Sequence, residues 1–135
     1  MGSIAWNKAL YINVKSIDGE HHRIFDLINK LRDAIDSGSS RTTLMKVLSD
    51  LLGSVAQHFA NEERLMQETG YPGYAAHKEE HEKLAQSVKG LVSDFSTGKL
   101  QGAGDITDMP MRWLHTHILT VDRELGQHLL AKGVR

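Results

Sequence analysis

Residues 74–95, YAAHKEEHEKLAQSVKGLVSDF, decide how this chain folds. The apolar residues of this stretch recur in steps of three and four, which is the spacing of the buried face of a helix. That face consists of Tyr74, His77, His81, Leu84, Val88, Leu91 and Phe95. Two histidines therefore stand where a helical bundle normally buries apolar side chains. Burying an unpartnered polar group costs roughly 2 to 7 kcal/mol, so we expect a partner that satisfies both.

The same substitution of polar for apolar residues occurs on the other predicted helices. His21 takes the step between Ile17 and Ile24 on the first helix, and two polar residues follow Val55 on the second in steps of three and four. A fourth helix adds one histidine and one aspartate. The complete set is His21, His58, Glu62, His77, His81, His117 and Asp122.

Composition limits what these residues can do. The chain has 135 residues, which is the size of one domain, and we assign residues 1–135 to it. It has no cysteine, so a metal here would have nitrogen and oxygen ligands. With 16 basic and 17 acidic residues spread along the chain, no basic patch predicts nucleic-acid binding. No apolar run is long enough for membrane insertion, and we expect a cytoplasmic protein.

Breaks in the helical pattern divide the chain into an irregular N-terminal arm and four helices. The arm, about residues 1–16, carries Trp6 and lies across the bundle in our prediction. Asp18 caps the first helix, which ends at Gly38. The second follows the capping candidates Ser39, Ser40, Thr42 and Thr43 and reaches Thr69; the third spans Tyr74 to Phe95, and the fourth begins between Asp105 and Met111. Short links between such helices predict an all-α, up-down-up-down four-helix bundle.

Spacing within each helix indicates which polar side chains meet. His58 and Glu62 are four residues apart, as are His77 and His81, so each pair projects from one face. His117 and Asp122 are five apart, about 140° around a regular helix. Either Asp122 reaches across to bridge two metal ions, or a π-type bulge widens the helix between them.

The number and type of donors indicate the metal. Seven donors exceed the four of a zinc site, and five imidazoles do not suit the all-oxygen shell of calcium or magnesium. Imidazole with carboxylate suits iron, and two iron ions sharing two carboxylates fit the set. If one ion takes three histidines and the other two, the second has a position at which a small ligand can bind.

The ordered set resembles the hemerythrin family, specifically its single-domain bacterial members. The likeness covers almost the whole chain. It rests on the Trp6 arm, Ile17-Asp18-x-x-His21, His58-Phe59-x-x-Glu62-Glu63-x-x-Met66, Tyr71-Pro72, His77-x-x-x-His81, and Trp113-Leu114-x-x-His117-Ile118-x-x-x-Asp122.

The resemblance implies roles for these residues. One iron would be bound by His77, His81 and His117 and the other by His21 and His58, with Glu62, Asp122 and an oxo or hydroxo group as bridges. It further implies that dioxygen binds reversibly beside the two-histidine iron, for transport, storage or delivery. An apolar pocket would protect it, with a lining expected from position in the sequence of Ile24, Phe59, Trp113, Leu114 and Ile118.

Two functions are alternatives to oxygen carriage. A sensor of oxygen, nitric oxide or iron would act through a separate partner, and since no output domain follows Arg135 we expect a carrier. A protein acceptor of the oxygen is unknown. A diiron oxidase would be richer in carboxylates, so the histidine-rich set predicts that the protein is not an enzyme.

Some residues near the site differ from the pattern or lie outside it. Bacterial relatives usually have glutamine where this chain has Glu20, and a glycine is common in place of Asn13. A carboxylate at Glu20 could accept a hydrogen bond from an imidazole and shift the charge of the pocket, or it could face water. We expect it to face water, because a glutamate is seldom buried unpaired. His22, His115 and His128 are expected to lie away from the metals.

Overall fold

The computed structural model describes residues 10–97 and 103–135, with the backbone alone at 103–106 and 109. Trp6 and residues 98–102 lie outside the described residues. The helical segments are α1 (Lys15–Asp36), α2 (Arg41–Glu68), α3 (Tyr74–Ser96), α4 (Ala103–His117), a π-helical turn (Ile118–Asp122) and α5 (Arg123–Ala131). Within the part of the chain described, no helix is long and apolar enough to cross a membrane.

The predicted all-α four-helix bundle is confirmed. The segments α4, π-helical turn and α5 follow one another without a break and form the fourth helix. The largest group of buried apolar side chains joins the arm to α1, α2 and the fourth helix, while α3 contributes Phe95. A smaller group, Phe59, Leu84 and Val88, lies between α2 and α3. The bundle therefore holds all four helices around one interior.

The start of α1 corrects the expected cap. The helix begins at Lys15, four residues earlier than a cap at Asp18 would allow, and Val14 stands at its N-cap position. Asp18 lies inside the helix and reaches back to the arm: its carboxylate accepts hydrogen bonds from the backbone N–H groups of Ile12 at 2.8 Å and Asn13 at 3.0 Å. Asp18 thus fixes the arm to α1.

The start of α2 has the expected cap. Ser40 stands at its N-cap position, and the Ser40 hydroxyl accepts a hydrogen bond from the backbone N–H of Thr43.

The fourth helix also begins earlier than expected. It starts at Ala103, so the prediction of a start between Asp105 and Met111 is wrong, and Pro110 lies inside α4. A contact with α1 lies close to this start. The buried guanidinium of Arg32 donates hydrogen bonds to Thr107 at 3.0 Å and to Asp108 at 2.6 Å. This anchor holds the polar start of α4 against α1, which sequence periodicity does not reveal.

The described part of the arm lies across the end of the fourth helix, as predicted. Leu10, Ile12 and Val14 are buried. Ile12 packs directly on Gly126 of α5, where a Cβ atom would lie 2.9 Å from Ile12 Cβ and 3.0 Å from its carbonyl oxygen. Only glycine permits this close approach, so Gly126 allows the arm to pack on α5.

Candidate metal centre

All seven polar residues predicted from the sequence meet in the middle of the bundle. Their side chains come from α1, α2, α3, the end of α4 and the π-helical turn. Each residue is at most 3% exposed, and Glu62 and Asp122 are fully buried. The donor atoms form two clusters, each with all atoms within 4.8 Å of one another, and both clusters include both carboxylates.

The first cluster contains three imidazoles, which we call the three-histidine group: His77, His81 and His117. The Nε2 atoms of His77 and His81 lie 3.1 and 2.9 Å from Oε1 of Glu62. The Nε2 atoms of His77 and His117 lie 3.1 and 3.0 Å from Oδ1 of Asp122. One oxygen of each carboxylate therefore faces this group.

The second cluster contains two imidazoles, which we call the two-histidine group: His21 and His58. Nε2 of His21 lies 3.0 Å from Oδ2 of Asp122, and Nε2 of His58 lies 3.5 Å from Oε2 of Glu62. These are the opposite oxygens to those that face the three-histidine group. Each carboxylate is thus divided between the two groups, which is the arrangement of a bridging ligand.

The π-helical turn brings Asp122 into the centre. It spans Ile118–Asp122, the five residues that follow His117. A π-helical turn takes more residues per turn than an α-helix, so residues five apart can come onto one face. Of the two alternatives derived from the sequence, the π-type bulge is present, and the carboxylate also faces both groups as the bridging alternative requires.

The electrostatics of the buried site demand positive charge between the carboxylates. Burial and the neighbouring Asp122 raise the pKa of Glu62, but His58, His77 and His81 outweigh them and lower it to about 2. Burial likewise raises the pKa of Asp122, and the imidazoles of His117, His21 and His77 against it hold that pKa well below its usual range. Both carboxylates therefore stay negative inside the protein.

The pKa values of two histidines shift in the opposite direction, upward. Burial lowers the pKa of His77, yet contact with Asp122 and Glu62 raises it to about 9. For His58, burial lowers the pKa, and Glu62, Glu20 and Asp122 together raise it above its usual value. Without another cation, the protein must put protons on these imidazoles to balance its own buried carboxylates.

The arrangement of the donor atoms suits metal coordination better than hydrogen bonding between the side chains. Despite the short distances, Nε2 of His81 and His117 and both oxygens of Asp122 make no hydrogen bond to any of the described residues. Two donors about 2.1 Å from a metal ion and at right angles to each other would lie about 3 Å apart, which matches the separations here. Imidazole and carboxylate together suit iron, so the residues present fit a pair of iron ions.

Two histidines are held from outside by carboxylates. Nδ1 of His58 lies 2.8 Å from Oε1 of Glu20, and Nδ1 of His81 lies 3.1 Å from Oε2 of Glu63. The expectation that Glu20 faces water is wrong: its side chain is 28% exposed and its oxygen contacts His58. Glu20 on α1 reaches His58 and Asn61, which both lie on α2.

Sequence spacing alone indicates no role for Glu63. It follows Glu62 on α2, and its side chain turns toward α3, where it meets His81. A carboxylate next to a ligand position is the one sequence signal for such a contact, since metal-binding histidines usually donate their second N–H to a carboxylate or carbonyl. That signal alone does not distinguish it from the solvated glutamates nearby.

The bundle also contains an apolar cavity of about 30 Å³, and one of its lining residues, Phe59, stacks on His81 with ring centroids 3.9 Å apart. Ile24, Phe59 and Leu114, three of the residues expected to line a pocket, line this cavity, together with Ile28, Leu51, Val55, Leu84, Val88 and Pro110. The other two lie elsewhere. The Trp113 ring stacks over His117 with centroids 4.2 Å apart, and Ile118 is fully buried in the main core.

The remaining histidines take no part in the two clusters. The His22 side chain is 52% exposed and lies near Asp26 on its own helix. His128 contacts the Thr69 hydroxyl at 3.0 Å and the Tyr71 ring at 4.9 Å. His115 is half-buried and belongs to neither cluster. All three lie outside the two clusters, as we expected.

Comparison with known proteins identifies the family. The Hemerythrin HHE cation binding domain model matches residues 13–129. Bacteriohemerythrin of Methylococcus capsulatus is 38% identical over 132 residues, which cover 97% of this chain and 100% of the relative. Myohemerythrin of Sipunculus nudus is 31% identical over 117 residues, covering 87% and 86% of the two chains.

A solved structure gives the same result. The crystal structure of a wild-type hemerythrin superposes with a TM-score of 0.85 at 38% identity, covering 93% of this chain and 97% of that one. The family match, the full-length relatives and the shared fold agree with the clustered histidines and carboxylates. The chain belongs to the hemerythrin family.

Proposed function

We propose that the protein binds dioxygen reversibly at a non-haem diiron centre. The three-histidine group would hold one iron ion, the two-histidine group would hold the other, and Glu62 and Asp122 would bridge them. An oxo or hydroxo group would complete the bridge. When bound, the iron pair supplies the electrons that reversible dioxygen binding requires.

One observation carries this proposal: the two clusters share both carboxylates but differ by one imidazole. The three-histidine group offers five protein donors, and the two-histidine group offers four. A six-coordinate ion therefore receives fewer donors from the chain on the two-histidine side. This imbalance directs a small ligand to that side.

The apolar cavity that Phe59 lines supports a diatomic ligand. Its nine lining residues are all apolar, and its volume of about 30 Å³ exceeds the roughly 10 to 15 Å³ that one water-sized probe needs. A water molecule there would lack the two to four polar partners that hold buried water. Dioxygen needs no such partners, so the lining favours it and keeps water and protons from the site.

The side chains at the centre hold and orient ligands without supplying a catalytic acid or base. Phe59 stacks on His81 with ring centroids 3.9 Å apart, and Trp113 stacks on His117 at 4.2 Å. These stacked rings fix the orientation of two imidazoles and shield them from solvent. A set dominated by histidine, with only two central carboxylates, favours reversible binding over oxygen activation.

A cycle of oxygen exposure tests the proposal. The iron-loaded protein is reduced without oxygen, air is admitted, and the oxygen is then removed while the visible spectrum is recorded. We expect a coloured species that appears with oxygen and disappears when oxygen is withdrawn, over several cycles. Irreversible conversion to the ferric form in the first cycle, with release of peroxide, would contradict reversible binding and favour an oxidase or a sensor.

A further inference from the structure

The outer face of the two-histidine group is held by a chain of hydrogen bonds that runs along α2 to α1. Arg64 donates to Oδ1 of Asn61 at 2.8 Å. This fixes the orientation of the amide, so its Nδ2 points toward α1 and donates to Oε1 of Glu20 at 3.0 Å. The same Glu20 oxygen lies 2.8 Å from Nδ1 of His58.

The direction of these hydrogen bonds determines which ring nitrogen of His58 carries the proton. An ionised carboxylate accepts hydrogen bonds only, so Nδ1 of His58 carries the proton that it donates to Glu20. In a neutral imidazole the other nitrogen, Nε2, then has a free lone pair. Nε2 is the atom that faces Glu62, at 3.5 Å from its Oε2. The chain of contacts therefore presents His58 in the tautomer that a metal ligand requires.

The carboxylates are not distributed evenly around the centre. In the three-histidine group, His81 has Glu63 against its Nδ1, while Nδ1 of His77 and of His117 has no hydrogen-bond partner among the described residues. The Glu20 contact is shorter than the Glu63 contact, and His58 is nearly enclosed, at 1% exposure of its side chain. Glu20 thus places a negative charge close behind one of the two imidazoles in the group with fewer donors.

On this basis we propose that Glu20 is a positioning residue whose negative charge, transmitted through His58, stabilises the ferric state of the two-histidine iron. The inference rests on the proposed iron centre. A carboxylate that accepts the imidazole N–H raises the basicity of the ligand nitrogen. A more basic nitrogen and a nearby negative charge both favour the more highly charged metal ion, so Glu20 lowers the reduction potential of that iron.

The test compares three variants of the full chain. Glu20→Gln keeps an oxygen that can accept from His58 and Asn61 but removes the charge. Glu20→Ala removes both. Glu79→Gln is the matched control, because Glu79 is 67% exposed and pairs only loosely with Lys83 at 3.6 Å. Each protein is loaded with iron, and its iron content and midpoint potential are measured. Affinity for a second Co²⁺ ion gives a readout independent of oxygen binding.

We expect Glu20→Gln to favour the ferrous state at least tenfold, a rise of about 59 mV for a one-electron couple. Its affinity for the second Co²⁺ ion should fall about 10- to 100-fold. Glu20→Ala should change both quantities at least as much, and Glu79→Gln neither.

The outcomes separate the inference from the proposed function. A Glu20→Gln protein with the potential and Co²⁺ affinity of the unchanged chain would overturn the role of the charge, even if two irons still bind. If only Glu20→Ala differs, the hydrogen bond alone matters and the charge proposal is wrong. Failure of the unchanged chain to bind two irons would instead remove the centre itself, and the inference with it.

Discussion

His117 and Asp122 are five residues apart in the chain, yet Nε2 of His117 and Oδ1 of Asp122 lie 3.0 Å apart. The π-helical turn between them makes this possible, and the helix continues as α5 on its far side. A helix with regular α geometry would turn the aspartate about 140° away. The local widening is therefore what supplies the second shared carboxylate, and without that carboxylate the two groups of histidines would be joined by Glu62 alone.

Replacing His77 should prevent the protein from binding two iron ions. Its Nε2 contacts both carboxylates, at 3.1 Å from Glu62 and 3.1 Å from Asp122. Iron content per chain, measured after loading and removal of excess metal, should fall from two in the unchanged protein to one or fewer in His77→Ala. His115→Ala is the control, because His115 lies on the fourth helix but in neither cluster. Two irons retained in His77→Ala would refute the ligand assignment.

The pH dependence of stability should change sign when metal binds. In the metal-free protein the pKa of His77 is raised from 6.5 to about 9, so its protonated form stabilises the fold fully below pH 6.5. That contribution is lost as pH rises through about 9. Glu62, with a pKa lowered from 4.5 to about 2, stabilises the fold above pH 4.5 and loses its contribution as pH falls toward 2. The metal-free protein should therefore be most stable between about pH 4.5 and 6.5, where both contributions are fully present.

Between pH 6.5 and 9 the expected loss for the metal-free protein is on the order of 3 kcal/mol. Metal ions compete with protons for imidazole nitrogens, so the metal-loaded protein should instead gain stability over this range. Urea unfolding midpoints at the two ends of the range, with and without metal, measure both slopes. Slopes of the same sign would show that the imidazoles do not exchange protons for metal.

A hydroxyl group in the apolar cavity should speed oxidation of the ferrous protein to the ferric form. Val88 lines the cavity and is 6% exposed, so Val88→Thr adds a polar partner for water with almost no change of shape. We expect conversion to the ferric form in air to become several-fold faster, followed by absorbance. Val47→Thr makes the same change at a buried site that does not line this cavity. Equal acceleration in both variants would indicate a general loss of stability, and no acceleration in either would show that the lining does not protect the site.

Adding one carbon at Gly126 should weaken the attachment of the arm. The new Cβ would lie 3.0 Å from the carbonyl oxygen of Ile12, a backbone atom that cannot move without shifting the arm. Gly126→Ala should lower the free energy of unfolding by about 1 to 3 kcal/mol. Gly90→Ala is the matched control on α3, since its Cβ would meet nothing within 4 Å, and it should raise stability by about 0.5 to 1 kcal/mol. Equal effects would contradict close packing of the arm on α5.

Much of the bundle could be predicted from the sequence because burial repeats along each helix. The steps of three and four identified α1, α2 and α3 and put four histidines and one carboxylate on their buried faces. The five-residue spacing of His117 and Asp122 already required either a bulge or a bridging carboxylate. These features follow from the local geometry of each helix, which the spacing of residues in the sequence shows directly.

The features that sequence reasoning missed depend on contacts between helices. The Arg32 guanidinium on α1 binds Thr107 near the start of α4, and this contact between distant parts of the chain has no periodic signal. Asp18 is an ordinary capping residue in type, but its carboxylate is used by the arm. Sequence position does not decide whether Glu20 or Glu63 faces water or a histidine, because the contacts with His58 and His81 are made between neighbouring helices. Their environment is set by packing and has no periodic signature.

The central claim is that the chain binds two iron ions unequally, with three histidines on one and two on the other. Anomalous diffraction at the iron absorption edge from crystals of the iron-loaded protein measures this directly. Two peaks should appear about 3.5 Å apart, the usual separation in two-metal sites, one beside His77, His81 and His117 and the other beside His21 and His58, with Glu62 and Asp122 between them. A single peak, or two ions with equal numbers of histidines, would contradict the account.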